Sequence, residues 1–336
     1  MDAKNLLFHS GFYSIFRRIA PSRQLAILRY HAVCELDAGY ADPGICVTPE
    51  AFGRHVEYLA GNYRVLSLPD AVETLRRRGT LPANAVAITF DDGYADNLGA
   101  ARQLADHGLT ATFYLTAGCL AGGAPFWPSE LRRLVAGIPG PRLQLDTAGV
   151  MLDVPLSTVA ERRAAVSRLT KVFKGHPIPV REAIREHLRQ LSGAPVQPCP
   201  MLTWDDVRRM HAMGMTVGSH TMTHPNLPNA GADAARREIA ESKARLEAET
   251  GAPVTMFSYP NGGAERYMTN DVANLVKAAG YAAATTSRNA FAGSSSDLFA
   301  LERVQVSERL DQLVFALEIE RYAFKPKPRP GEVETA

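Results

Sequence analysis

The sequence lacks the features that mark several classes of protein. Its four cysteines, Cys34, Cys46, Cys119 and Cys199, include no CxxC pair and are too few for a disulfide-stabilised secreted domain, so we interpret them as free thiols. No run of 18 consecutive apolar residues is present, which argues against a transmembrane span. The chain also has no GxSxG motif, no phosphate-binding glycine loop and no dinucleotide fingerprint. Serine-nucleophile and nucleotide-cofactor chemistry therefore have no support.

A charge excess of either sign is also missing. The 37 basic and 35 acidic residues leave a formal net charge of +2, so composition gives no reason to expect a nucleic-acid partner. The chain is 336 residues long and 46% hydrophobic, which is enough to bury a large core. Two ordinary domains or a single α/β barrel would both fit this length.

The first 24 residues combine apolar and basic side chains. Their arginines follow the apolar part, which is the wrong order for a secretory signal peptide. We predict one amphipathic helix within residues 1–24, which either packs on the domain or lies on a membrane surface through residues 4–19. The expected location is the cytoplasm, and membrane association is left open.

Apolar runs of strand length alternate with helical stretches along most of the chain. Examples of such runs are LAILRYH at 25–31, AVAITF at 85–90 and TATFYLT at 110–116. This alternation predicts parallel βα units, and we expect an α/β fold with a distorted (β/α) barrel over residues 25–315. Residues from about 121 to 200 break the rhythm and are predicted to be a helical insertion. The charged, Pro-rich tail at 322–336 is predicted to be disordered.

Two adjacent carboxylates follow one of the predicted strands. The segment ITFDDGYADN at 88–97 places Asp91 and Asp92 directly after an apolar strand. In parallel α/β folds, residues at that point face the mouth of the active site. Asp-Asp-Gly also fits a turn with a helix cap, so this motif alone leaves a structural role open.

Two histidines spaced by four residues follow another predicted strand. The segment SHTMTH at 219–224 would present His220 and His224 on one side of a helical turn. Two imidazoles and one carboxylate form a common open site for a divalent cation. We therefore predict that Asp92, His220 and His224 bind a metal, with Zn²⁺ as first choice and Co²⁺, Ni²⁺ or Mn²⁺ as alternatives. Asp91 is not needed as a ligand in this set and could act as a base.

These motifs resemble those of the polysaccharide deacetylases with the NodB homology domain, also called carbohydrate esterase family 4. TFDDG at 89–93 and the HxxxH at 220–224 look like the first two motifs of that family, and the resemblance extends over about residues 25–310. It implies a NodB-type barrel and metal-dependent removal of N-acetyl groups from an amino sugar. Asp91 would be the general base, and Asp92, His220 and His224 would hold the metal.

The segment FSYPNGG at 257–263 resembles the third motif of the family, which lines the groove and donates a backbone N–H to the oxyanion. Ser258 and Asn261 stand where the family has an arginine and an aromatic residue. The resemblance nevertheless assigns Tyr259, Pro260 and Asn261 to substrate or oxyanion contacts.

The resemblance also requires a histidine as general acid. No histidine follows His224, where the family normally has one. One permuted branch of the family supplies this residue from its first strand, and His31 ends LAILRYH in the same way. His31 is therefore the expected general acid, and a structural role at the strand end is the alternative.

The substrate is less well defined by the sequence. Candidates for an apolar surface under a sugar ring are Tyr94, Phe126, Trp127 and Tyr259, although aromatic residues are commonly part of a core. The N-acetylated sugar would belong to a polysaccharide, a lipid-linked glycan or a nucleotide-linked glycan. Two other functions remain open: hydrolysis of another small amide or formyl-sugar, and metal or glycan binding without turnover.

Overall fold

The computed structural model describes residues 3–193, 200–262 and 267–321, and seven parallel strands among them close into a barrel. The strands of the chain are β1 (Ala26–Tyr30), β2 (Arg64–Val65), β3 (Ala85–Phe90), β4 (Thr112–Leu115), β5 (Arg142–Thr147), β6 (Val150–Pro155), β7 (Thr216–Ser219), β8 (Met256–Ser258), β9 (Ala283–Asn289) and β10 (Leu301–Gln305). The barrel order is β1-β10-β9-β8-β7-β4-β3, and β3 pairs back onto β1. Strand β2 adds to the start of β3. The predicted distorted (β/α) barrel is confirmed.

Helices surround this barrel. They are α1 (Ala3–His9), α2 (Phe12–Ile19), α3 (Pro49–Asn62), α4 (Leu68–Arg76), α5 (Asn97–Asp106), α6 (Trp127–Gly137), α7 (Val159–Gly175), α8 (Ile178–Ser192), α9 (Trp204–Ala212), α10 (Leu227–Ala230), α11 (Ala232–Thr250), α12 (Asn270–Ala278) and α13 (Leu310–Phe315). Hydroxyl side chains fix several helix starts. Thr158 and Thr203, for example, form capping boxes with Glu161 and Asp206. Each such cap stabilises its helix by about 1 kcal/mol.

Alternate residues of each strand fill the inside of the barrel, as the period of two requires. The lower layers are apolar and include Ile27, Ala85, Ala87, Met256 and Leu301. Toward the C-terminal ends of the strands the inward-facing side chains become polar. On β3 the inward-facing residues are Ala85, Ala87 and Thr89, and the same alternation makes Asp91, just past the strand end, face inward too. On β1 it runs through Arg29 to His31. Strand period therefore aims these two side chains at the open end of the barrel.

A glycine on β7 makes room for an aromatic ring inside the barrel. A Cβ atom on Gly218 would lie 2.5 Å from Cδ1 of Tyr114, whose ring is fully buried. No side chain of any size fits at that distance, so the packing of this layer depends on glycine.

The region between β4 and α9 has a hydrophobic core of its own, built from α6, α7, α8 and the antiparallel pair β5 and β6. We expected helices here, and the hairpin is a correction. Its residues alternate strictly between buried and exposed along both strands, which is the signature of a sheet with one face covered. The boundaries at about 121 and 200 stay predictions, and residues 194–199 lie outside the described residues.

The predicted single helix at the N-terminus is instead two helices. They meet at Gly11, whose φ of 76° is left-handed and interrupts the helical hydrogen bonding. Helix α2 buries Tyr13 and Arg17, while Ile15 and Ile19 are exposed. No helix in the described ranges is long and apolar enough to span a membrane. The tail predicted to be disordered, 322–336, lies outside those ranges.

Candidate active site

A cavity of about 700 Å³ opens at the C-terminal ends of the barrel strands. Its floor is formed by inward-facing residues that end or follow strands, among them His31, Asp91 and His220. One wall comes from the segment after β1, through residues 40–45. Another part of the wall comes from α6 and α7. The cavity therefore lies between the barrel mouth and the region of about 121–200.

The three side chains predicted to bind a metal meet on the floor of this cavity. The Nε2 atoms of His220 and His224 lie 3.5 Å and 3.4 Å from Oδ1 of Asp92. One ligand atom from each residue falls within 4.8 Å of the others, and all three residues are buried. Asp92 and His224 have positive φ angles of 78° and 56°, so both backbone turns are tight. Such strain persists only where the surroundings hold it and is common at functional sites.

The electrostatics of these three residues suit a bound cation. Burial, and then the charge of Asp91, hold the pKa of Asp92 well above its usual range. Burial also keeps the pKa of both imidazoles below the usual value, so they are neutral and able to act as ligands. A divalent cation between them would offset the buried carboxylate. Among the described side chains, Nδ1 of His224 is buried without a hydrogen-bond partner. The residues present therefore fit a metal ion.

Hydrogen bonds hold the histidines and their loop in place. Nδ1 of His220 lies 2.8 Å from the carbonyl oxygen of Ser258, which leaves Nε2 facing Asp92. Metal-binding histidines commonly use their second nitrogen in this way. The carboxylate of Glu238 on α11 accepts from the backbone N–H groups of Met222 and Thr223 at 2.8 Å. These hydrogen bonds to Glu238 hold the loop that carries both histidines against α11.

Asp91 is held by an arginine that the sequence analysis missed. Arg303 on β10 donates to both carboxylate oxygens of Asp91 at 2.7 Å and to the hydroxyl of Ser258 at 3.1 Å. Burial would raise the pKa of Asp91, but the charge and hydrogen bonds of Arg303, together with His220 and His31, outweigh it, so the pKa lies below the usual range. Ser258 stands where the resemblance expects an arginine, and Arg303 occupies the space beside it. The available signal was the alternation that puts Arg303 on the same face of β10 as Leu301 in the sequence LERVQ.

His31 lines the same cavity, on the strand that neighbours Asp91. Tyr30 and Phe90 are register partners in β1 and β3, so the next residues of both strands lie side by side. Nε2 of His31 is 3.8 Å from Oδ2 of Asp91. The closing pair of the barrel joins these two strands, so His31 lies beside Asp91 and not across the site from it. Burial, aided by Arg29 and Arg303 and opposed by Asp91, lowers the pKa of His31 to about 3.

Of the third motif, Asn261 reaches the cavity. Its φ is 75°, and its backbone carbonyl accepts from Ser287 at 3.0 Å. Tyr259 is fully buried and donates its hydroxyl hydrogen to the carbonyl of Phe299. Pro260 is buried as well, and neither residue lines the cavity. Ser258 faces into the barrel, so Tyr259 faces out toward the helices, and the expected side-chain contact of Tyr259 with substrate is not present.

Two of the four aromatic candidates for a sugar platform, Trp127 and Tyr94, border the cavity but are packed into its walls, and the other two do not line it. Trp127 is 3% exposed, and its ring lies 5.5 Å from that of Phe173. Its Nε1–H donates to the carbonyl of His224 at 2.8 Å. Tyr94 is 2% exposed and packs edge-on against Phe126. Both rings leave little surface for a sugar, and Trp127 instead supports the histidine loop.

Comparison with known proteins agrees with this architecture. A family model described as "Polysaccharide deacetylase" matches residues 167–284, which include His220, His224 and the third motif but begin after Asp91 and Asp92. No curated protein sequence matches the chain significantly.

Several solved structures share the fold at low sequence identity. A Streptococcus pyogenes deacetylase, PplD, in complex with acetate is 18% identical with a TM-score of 0.58, over 89% of this chain and 99% of its own. IcaB from Ammonifex degensii is 17% identical with a TM-score of 0.57, over 88% of this chain and 98% of its own. BC0361, a polysaccharide deacetylase from Bacillus cereus, is 18% identical with a TM-score of 0.57, over 88% of this chain and 69% of its own. The family match over residues 167–284 and the fold shared with solved polysaccharide deacetylases agree with the resemblance seen in the sequence.

Proposed function

We propose that this enzyme uses a divalent metal held by Asp92, His220 and His224 to remove N-acetyl groups from an amino sugar. The sugar would be part of a polysaccharide, a lipid-linked glycan or a nucleotide-linked glycan. The observation that carries this proposal is the meeting of the three ligand groups within 4.8 Å, on the cavity floor and beside Asp91. When bound, the cation lowers the pKa of water and polarises the acetamide carbonyl. Zn²⁺ suits this set of ligands, and Co²⁺, Ni²⁺ or Mn²⁺ would also be accepted.

Asp91 is the proposed general base. It lines the cavity next to Asp92, within reach of a water that attacks an acetamide at this site. The two bonds from Arg303 fix the orientation of the carboxylate and keep it ionised, so that it can accept a proton. Asp91 therefore acts as a proton acceptor of fixed geometry.

His31 is the proposed donor of a proton to the departing amine. An amine anion is a very poor leaving group, so amide cleavage requires such a donor. The 3.8 Å separation of His31 from Asp91 is longer than a hydrogen bond, as is often the case before substrate binds. Because the two side chains are neighbours, a small shift would let the proton accepted by Asp91 reach His31 and then the amine.

Asn261 is the proposed oxyanion contact. Asn261 lines the cavity, and its side-chain amide donates to the carbonyl of Pro225, the residue after His224, at 3.1 Å. A backbone N–H held in this way stabilises the negative charge that develops on the acetamide oxygen.

We place the enzyme in the cytoplasm, with peripheral membrane contact through residues 4–19 as part of the proposal. Cys34 and Cys46 form no disulfide although their sulfur atoms lie 3.4 Å apart, which is usual in a reducing compartment. Leu6 and Ile15 are more than half exposed beside basic residues of α1 and α2, as expected of a helix that meets a membrane surface.

The proposed function predicts acetate release that depends on a metal. Purified enzyme should bind about one divalent cation per chain and release acetate from at least one member of a panel of N-acetylated polymers, lipid-linked sugars and nucleotide-sugars. A chelator should abolish this activity, and Zn²⁺ should restore it. Bound metal without acetate release from any of them would favour a binding protein, and release of formate or another acid would redirect the search to other amides.

Replacing His31 with Ala tests the protonation step. We expect kcat on an acetamide substrate to fall at least about tenfold more than kcat on an activated acetate ester, because the ester's leaving group needs no proton. His211→Ala, at an exposed histidine of α9, is the matched control and should change neither rate. Equal losses on both substrates would show that another residue protonates the amine.

A further inference from the structure

Among the residues that the structure describes, cationic side chains outnumber acidic ones around the cavity. The carboxylates that line it are those of Asp42, Asp91 and Asp92. The cations that line it are Arg29, Arg132, Arg163 and Lys174. A concave site lined mainly by one sign of charge concentrates its field and attracts ligands of the opposite sign.

The carboxylates of the cavity already have cationic partners. Arg303 lies behind Asp91 and neutralises it, and Arg132 forms an ion pair with Asp42. Asp92 belongs to the proposed metal site, where a divalent cation would exceed its charge. Among the described cavity-lining residues, Arg29 and Arg163 are therefore left without a carboxylate in ion-pair contact.

Arg29 lies close to the reacting groups. Its two terminal nitrogens donate to the carbonyl of Ser287 at 3.0 Å and to the side-chain oxygen of Gln305 at 3.2 Å, both of which are neutral acceptors. Burial and the neighbouring Arg303 lower the pKa of Arg29 to about 10, although Asp91 opposes them. Arg29 thus remains charged at neutral pH, and it makes the floor of the cavity positive.

One face of α7 forms the side wall. Arg163, Val166, Ser167, Thr170 and Lys174 all line the cavity, and their spacing of three or four residues places them along a single stripe of the helix. The stripe is about 16 Å long, which exceeds one sugar ring. It carries a cation at each end, with hydroxyl groups between them.

We propose that the substrate carries an anionic group, a phosphate or a carboxylate, and that Arg163 on α7 binds this group while the acetamide lies at the Asp92, His220 and His224 site. The inference rests on the proposed function and narrows its substrate class. It assigns the region of about 121–200 a role in substrate selection. Ser167 and Thr170 would contact sugar hydroxyls between the anion and the acetamide.

The test compares substrates that share one N-acetylated sugar. One is neutral, one carries a phosphate and one is linked to a uronate. The measurement is kcat/KM for acetate release by the wild type, by Arg163→Gln and by the control Arg168→Gln. Arg168 is an exposed arginine of the same helix that does not line the cavity, so both variants remove one positive charge from α7.

The wild type should prefer at least one anionic substrate to the neutral one. Arg163→Gln should lose about tenfold to hundredfold more kcat/KM on that substrate than on the neutral one, because a charge-assisted hydrogen bond is removed. Arg168→Gln should behave as wild type. Preference for the phosphate or for the uronate identifies the source of the anion. Equal kcat/KM on neutral and anionic substrates, or equal losses in both variants, would overturn the inference.

A binding measurement separates this inference from the proposed function. Calorimetry with the deacetylated amino sugar and with its phosphate ester needs no turnover. Tighter binding of the phosphate ester that Arg163→Gln weakens would support the anion site even if no substrate released acetate, a result that would count against the proposed function alone. Equal affinity for both compounds would overturn the anion site.

Discussion

Asp91→Asn is expected to lower kcat for acetate release by about 10²–10⁴-fold, the usual contribution of a general base. The amide keeps the shape of the carboxylate but cannot accept a proton from the attacking water. Metal content should be unchanged, because Asp91 faces Arg303 and the ligand group is formed by Asp92 and the two histidines. The measurements are steady-state kinetics and metal analysis of the purified variant.

The neighbouring residue provides the matched control. Asp92→Asn should lose metal as well as turnover, since it removes the only carboxylate from the predicted ligand set. Both variants would then lose activity, but only Asp92→Asn would also lose the metal. Loss of metal in Asp91→Asn would make Asp91 a ligand, and unchanged kcat would remove it from the mechanism.

Arg303→Met is expected to lower the free energy of unfolding by about 3–5 kcal/mol, the range for breaking a buried ion pair by removing one partner. The methionine fills much of the space but leaves the buried carboxylate of Asp91 without its counter-charge. Arg303 is 1% exposed and also donates to the carbonyl of Thr286, so that acceptor is left unsatisfied too. Chemical denaturation measures the change.

A double-mutant cycle assigns this loss to the ion pair. Asp91→Asn combined with Arg303→Met removes both charges, so the double variant should be more stable than the sum of the single losses predicts. Arg288→Met, at an exposed arginine of β9, should change stability by no more than about 0.5 kcal/mol. Additive losses in the cycle would show that Arg303 stabilises the barrel through its other contacts.

Local rules were sufficient for the barrel and for the central residues of the site. Strand period aims Asp91 inward, because it continues the series Ala85, Ala87 and Thr89 along β3. The strand ends at Phe90, so Asp91 and Asp92 lie at the mouth of the barrel. Both imidazoles lie beside Asp92, although residues 220–224 form an irregular loop and not the helical turn that their spacing predicted. Each of these inferences needs a few consecutive residues and the general geometry of parallel strands.

Prediction from the sequence failed where the same local pattern is compatible with two different structures. The segment at 142–155 lies in the region predicted to be a helical insertion, yet its alternation builds β5 and β6 over a small core. Trp127 and Tyr259 are aromatic residues near a site, but burial decides whether such rings contact a ligand or a core, and both are packed away.

The sequence by itself determined the parallel barrel and the four residues Asp91, Asp92, His220 and His224 at its mouth, because strand period and motif spacing act over a few residues. Only the tertiary structure decided what surrounds them. Closure of the barrel sets β1 against β3 and so places His31 beside Asp91. The position of β10 brings Arg303 to Asp91 across 212 residues of sequence, and the packing of α7 turns its cationic face to the cavity. These contacts join segments that are distant in sequence, so no local pattern specifies them.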